Sequence, residues 1–120
     1  MSAILVIEDS AFTRRRVAEI LRTDGNQIIE AANGYEGLEK AEKLKPDCIV
    51  LDLLMPEMNG FEVLNELKER GLTIPVVVLS ADVQNTTQNE CRELGAVAFV
   101  QKPFGEDELV QAIHGILCSK

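Results

Sequence analysis

The sequence predicts an α/β fold, a parallel sheet wound with helices on both faces, and three observations carry that expectation. Short branched apolar runs, Ala3–Ile7, Ile49-Val50-Leu51 and residues 76–79 (Val-Val-Val-Leu), read as strands buried on both faces. Between them apolar residues recur at helical spacing, and no two strand-like runs follow one another, which is the pattern of parallel strands joined by right-handed helical crossovers. Each of these runs also ends on polar or acidic residues: Glu8-Asp9-Ser10, Asp52, and Ser80-Ala81-Asp82.

The first strand, Ala3–Ile7, is capped by two carboxylates. Val17, Ile20 and Leu21 mark the buried stripe of the helix that follows, and Asp24-Gly25 ends it, since glycine takes the left-handed conformation at a helix C-terminus. Gln27–Ala31 holds only Ile28 and Ile29 as strong apolar residues, which suits a sheet edge. Asn33-Gly34-Tyr35-Glu36 resembles a reciprocal capping box for a second helix with the stripe Leu38, Ala41, Leu44, closed by Pro46. The central strand is the run from Cys48 to Asp52, and its charge must stand at the strand end, before Pro56 breaks the chain. Asn59 caps a third helix carrying Val63, Leu64 and Leu67, which stops at Arg70-Gly71. Ile74-Pro75 leads into the fourth strand. Residues 83–94 read as a helix that is polar nearly all round, residues 96–100 as a fifth strand, and Gln101-Lys102-Pro103-Phe104-Gly105 as a loop. Leu109, Ile113 and Ile116 supply the stripe of a last helix.

With 120 residues, 46% of them hydrophobic, the chain is expected to form one domain over residues 1–120. No run approaches the roughly 20 apolar residues that span a bilayer, so a soluble cytoplasmic protein without membrane contact is expected. Cys48, Cys91 and Cys118 are too few and too scattered for a disulfide framework or a metal site, and are read as reduced thiols, the first two as packing residues. His114, the one histidine, lies off the last apolar stripe and reads as a solvent-facing position. A formal charge of −8 opposes direct contact with nucleic acid. Arg14-Arg15-Arg16 is the single basic cluster, either a solvated helix face or a docking patch for an acidic protein.

Parallel strands bring the residues that follow them to one sheet edge, where open α/β folds place their sites. Glu8, Asp9, Asp52, Ser80 and Lys102 are thereby gathered. Like charges at roughly 4 Å repel by about 4 kcal/mol at an effective dielectric of 20, so three clustered carboxylates call for a cation. Oxygen donors without His or Cys point to a hard ion, Mg²⁺ with Mn²⁺ as a substitute. Lys102 meets a phosphate as a point charge and the Ser80 hydroxyl donates to one of its oxygens, which leaves Asp52 as the nucleophile toward phosphorus. Taken singly, each of these residues also fits a helix cap or a solvated loop; their joint chemistry is what favours a site.

Glu8-Asp9, Asp52-Leu-Leu-Met-Pro56, Gly60, Ser80-Ala81 and Lys102-Pro103 resemble the receiver domain of two-component response regulators, over the whole chain. The resemblance implies a flavodoxin-like strand order, 2-1-3-4-5, with five helices. It implies that Asp52 accepts a phosphoryl group from a sensor histidine kinase or a histidine phosphotransfer protein. Glu8, Asp9, Asp52 and the main-chain carbonyl of Leu54 would bind Mg²⁺, Ser80 and Lys102 would grip the phosphate, and Phe99 would be an aromatic switch coupled to Ser80. Pro56 and Gly60 would shape the loop around Asp52, with Ala81 and Pro103 beside it. The fourth helix, fifth strand and last helix would face an effector protein, from a monomer or weak dimer, and residues 81–99 are faintly similar to chemotaxis regulators.

Three departures from the family pattern stand out. Ser80 replaces the common threonine, which keeps the hydroxyl but loosens its rotamer, and Phe99 replaces the frequent tyrosine and so lacks a phenolic hydrogen bond. Leu54 and Asp82 occupy the positions that line the approach of water in this family, which bears on dephosphorylation. Two other functions use similar architecture. An aspartyl-nucleophile phosphohydrolase of small phosphate esters generally wants a second acid two residues after the nucleophile, where Leu54 stands. A flavin- or nucleotide-binding module wants a phosphate loop after the first strand, where Glu8-Asp9 present negative charge.

Overall fold

A computed structural model of the chain describes residues 2–82 and 84–117. Ten elements alternate along it: β1 (Ala3–Ile7), α1 (Ala11–Thr23), β2 (Gln27–Ala31), α2 (Gly34–Leu44), β3 (Cys48–Asp52), α3 (Gly60–Glu69), β4 (Val76–Ser80), α4 (Asn85–Glu93), β5 (Ala96–Gln101) and α5 (Glu106–Leu117). All neighbouring strands pair in parallel, in the order β2-β1-β3-β4-β5, the flavodoxin-like order. The apolar-poor β2 takes one edge, as its sequence requires, and β5 the other.

Strand side chains alternate between faces, so the core divides in two. Leu5, Ile7, Ile49, Leu51 and Val78 pack with α2, α3 and Cys91 of α4 on one face. Ile4, Val6, Val50, Val77 and Leu79 pack with α1 and α5 on the other. Every residue of the central β3 and of β4 is buried, including the polar residue at the end of each.

Several local readings are corrected. Asn33 caps α2 by accepting from the Glu36 N–H at 2.8 Å, but Glu36 is drawn to Lys40 Nζ at 2.9 Å, one helical turn on. The reciprocal capping box forms instead at α3, between Asn59 and Glu62. Leu44, the last residue of α2, is exposed rather than part of the stripe, because Lys45 turns left-handed directly after it. The polar helix is shorter than residues 83–94, β5 runs one residue further than read, and Val83 and Cys118 lie outside the described residues. Cys48 and Cys91 are buried packing residues, and burial pushes the Cys91 thiol up. His114 is exposed on α5, its Nε2 2.6 Å from Asp24 Oδ2 at the end of α1. Among the described residues no helix is long and apolar enough to cross a membrane.

Gly60 opens α3 where the chain turns back on β3, and its N–H donates to the Leu53 carbonyl at 2.8 Å. A Cβ there would lie 2.7 Å from Leu53 Cα and 3.0 Å from the Asp52 carbonyl oxygen, both backbone atoms that cannot yield locally. Gly60→Ala is therefore expected to cost about 2 kcal/mol or more. Gly115 sits inside α5, where a Cβ would meet nothing within 4 Å. Gly115→Ala should accordingly gain roughly 0.5–1 kcal/mol from helix propensity alone. Thermal unfolding of the two variants, shifted in opposite directions, checks both.

Candidate functional site

Asp52 and Ser80 are the last residues of β3 and β4, Glu8 follows β1 and Lys102 follows β5, so the sequence-distant residues meet at one sheet edge. Backbone bonds carry the ladder past the strand ends. The Leu53 N–H donates to the Leu79 carbonyl at 3.1 Å, and the Lys102 N–H to the Ser80 carbonyl at 2.8 Å. The Lys102-Pro103 peptide is cis.

Glu8 and Asp52 are buried while Asp9 is exposed, and one carboxylate oxygen of each lies within 4.8 Å of the others. Lys102 Nζ bridges the two buried acids, donating to Asp52 Oδ1 at 2.9 Å and Glu8 Oε1 at 3.1 Å. The Ser10 N–H donates to Glu8 Oε2 at 3.2 Å. Burial, a hydrogen bond to Asp9 and the Asp52 charge together push Glu8 up to about 7. For Lys102, burial works against the charge, but Asp52 and then Glu8 outweigh it and raise its pKa. The ammonium thus answers part of the acids' repulsion, and the remaining oxygen-only donor set fits a hard divalent cation such as Mg²⁺.

Glu8 gives the metal-free protein a specific pH dependence. Its native pKa lies above the unfolded value of 4.5, so between 4.5 and about 7 the native state holds a proton that the unfolded chain has released. Stability falls as pH rises through that window. Glu8→Gln cannot ionise, so without metal its thermal midpoint is expected to rise relative to the parent as pH climbs from 4.5 to 7. A midpoint difference that stays flat with pH would contradict the assignment.

Ser80 Oγ accepts from the Asp82 N–H at 3.0 Å, which leaves its own proton to donate. Asp82, expected to line the site, turns its carboxylate into the start of α4. Oδ1 accepts from the Gln84 N–H at 2.9 Å and Oδ2 from the Thr87 hydroxyl at 2.7 Å, and these bonds hold its carboxyl below the usual range. These bonds tie it to Gln84, the residue before α4, whose own side chain makes no capping bond, and to Thr87 in the first turn. Leu54, Pro56, Ala81 and Pro103 are exposed around the edge. Glu57, between Pro56 and Met58, is left-handed at φ 67°, a strained conformation for a non-glycine residue. Phe99 is half-buried against the α2/α3 core, opposite Val78 of β4.

One residue near the site escapes the sequence reading. Arg14 Nη1 donates to the Glu8 main-chain carbonyl at 2.9 Å, and its Nε to Glu30 Oε1 at 3.3 Å. Arg16 stacks over the Phe104 ring, 4.9 Å from its centroid, and only Arg15 is left as simple solvated charge. The signal was the position: a helical side chain leans toward the N-terminus, and Arg14 stands one turn after the acidic strand end.

A family model described as the response regulator receiver domain matches residues 4–114. The chain is 34% identical over 114 residues to the chemotaxis protein CheY of Thermotoga maritima, covering 94% of this chain and 95% of that one. It is 44% identical over 108 residues to a protein-glutamate methylesterase/protein-glutamine glutaminase of Treponema denticola, covering 87% of this chain but spanning only 29% of that longer protein. Among solved structures, chemotaxis protein CheY4 of Vibrio cholerae superposes with a TM-score of 0.93 at 29% identity, covering 98% of this chain and 99% of that one.

Proposed function

Since the chain belongs to the response regulator receiver domain family, we propose that Asp52 accepts a phosphoryl group from a phosphohistidine of a sensor histidine kinase or a histidine phosphotransfer protein. One observation carries this: a buried carboxylate at the end of β3 is held by Lys102 inside a cluster of three acids. Lys102 occupies Oδ1, so the second oxygen of Asp52 attacks phosphorus. A P–O bond forms as the P–N bond breaks, and the electron pair stays on the imidazole nitrogen.

Glu8, Asp9, Asp52 and the Leu54 carbonyl would hold Mg²⁺, with Mn²⁺ as a substitute. The ion supplies positive charge against the phosphoryl oxygens. Lys102 leaves Glu8 and turns to the incoming group, while Ser80 donates its hydroxyl proton to another oxygen. The Lys102 N–H to Ser80 carbonyl bond keeps the two strand ends in register, so both side chains reach the same group. Ser80 also holds the Asp82 N–H, and Asp82 holds Gln84 and Thr87, which gives α4 a direct line to the phosphate. Cys91 is the one buried residue of α4, so that helix has little apolar anchorage and shifts at low cost. With Phe99 following Ser80, the surface of α4, β5 and α5 changes and is read by an effector protein.

The test is incubation with a small phosphoryl donor, with and without Mg²⁺, followed by intact-mass measurement. A gain of one phosphoryl group that disappears on chelation is expected. Continuous turnover of phosphate esters with no gain in mass would replace the reading by a hydrolase.

A further inference from the structure

We infer that Arg14 is a positioning residue for the acidic cluster: it fixes the Glu8–Asp9 peptide, and so sets the geometry in which Glu8 and Asp9 present their oxygens to a divalent cation. This rests on the metal reading above.

The strand ladder ends here. Beyond the Ile7–Ala31 pair, the Glu8 N–H still reaches the Ala31 carbonyl at 3.1 Å, while the Glu8 carbonyl is taken by Arg14 Nη1 at 2.9 Å. A peptide group is planar, so holding its oxygen fixes the plane from which the Asp9 backbone departs. Asp9 is exposed, and its carboxylate meets that of Glu8 in a side-chain hydrogen bond. The direction from which it does so is set by the backbone between them.

Arg14 is in turn held from two sides. Its backbone N–H donates to the Ser10 carbonyl at 2.8 Å in the first turn of α1, so the side chain projects back over the end of β1. Its Nε meets Glu30 Oε1 at 3.3 Å, and the second Glu30 oxygen lies 3.6 Å from Arg22 Nη2. The Glu30 carbonyl accepts from Lys40 Nζ of α2. Glu30 thus ties α1, α2 and the edge strand β2 to the one guanidinium that reaches the site. A planar fork holds the Glu8 carbonyl and the Glu30 carboxylate in fixed relative directions, which a lysine ammonium, a point charge on a flexible stem, does not.

Charge alone predicts the opposite sign. A cation beside the cluster repels Mg²⁺, so deleting it without any positional effect would strengthen metal binding. Loss of positioning weakens it, by roughly tenfold if Arg14 behaves as other groups that orient metal ligands.

Calorimetric titration of the full chain with MgCl₂ separates the two. Arg14→Ala and Arg14→Lys are expected to bind Mg²⁺ more weakly, the lysine variant less severely affected, while Arg15→Ala matches the parent. Amide NMR of metal-free Arg14→Ala should show the Asp9 resonance displaced with the core resonances in place, which establishes that the variant is folded. If the parent binds Mg²⁺ and Arg14→Ala binds it equally or more tightly, the positioning role is wrong. If the parent itself does not bind Mg²⁺, the metal reading fails and this inference with it. Phosphorylation by a small donor gives an independent reading: the variant should need more Mg²⁺ for half-maximal rate yet approach the parent's rate at saturation.

Discussion

Asp52→Asn is expected to abolish phosphoryl incorporation and to leave the fold intact. The carboxamide has nearly the same shape, and its carbonyl oxygen can still accept from Lys102 Nζ at the 2.9 Å contact that Asp52 Oδ1 makes. What disappears is the anionic oxygen proposed to attack phosphorus. One negative charge also leaves the cluster, so Glu8, which the Asp52 charge helps to push up, should titrate lower in the variant. Two measurements check this: intact mass after incubation with donor and Mg²⁺, which should show no gain, and NMR titration of Glu8, which should move down. A variant that still gains one phosphoryl group would place acceptance elsewhere.

Lys102→Ala is expected to separate phosphorylation from switching. In the metal-free protein it removes, among the described residues, the one cation within hydrogen-bond distance of both Glu8 and Asp52. Two ionised carboxylates at roughly 4 Å repel by about 4 kcal/mol at an effective dielectric of 20, so Glu8 should protonate at still higher pH. Mg²⁺ binding should not weaken, because Lys102 occupies the same carboxylate oxygens that a cation would neutralise. The phosphate, however, would lose its ammonium, while the main-chain bond from the residue 102 N–H to the Ser80 carbonyl stays in place. Amide shift changes on phosphorylation in α4 and around Phe99 should be abolished in Lys102→Ala and present in the parent. A variant that shows the parent's changes would mean that Lys102 does not carry the signal.

The architecture was readable because buried parallel strands write themselves as unbroken branched runs and because polar residues are tolerated only where those strands end. Asp52 and Ser80, terminal in β3 and β4, follow from that rule, as does the assignment of Gln27–Ala31 to an edge. Glu8, Asp9 and Lys102 could be grouped with them because one topology brings all the strand ends together. The misread polar residues have a different cause, competition among polar groups for partners. Glu36 had a lysine one turn away and preferred it to the helix cap. Arg14, Arg15 and Arg16 are one cluster in sequence, but successive helical residues point about 100° apart. They meet the site, solvent and Phe104 respectively. The left-handed Glu57 had no signature at all, since residue type alone would have assigned that conformation to a glycine.

Phosphoryl acceptance at Asp52, rather than at another acid of the cluster, is tested most directly by locating the group. The protein would be phosphorylated by a small donor with Mg²⁺ and reduced with borohydride, which converts an acyl phosphate to an alcohol, and its peptides mapped by mass. Homoserine at position 52, with Glu8 and Asp9 unmodified, is the predicted result. Reduction at Glu8 or Asp9 with Asp52 intact, or no reduced residue in a protein that has gained phosphoryl mass, would contradict it.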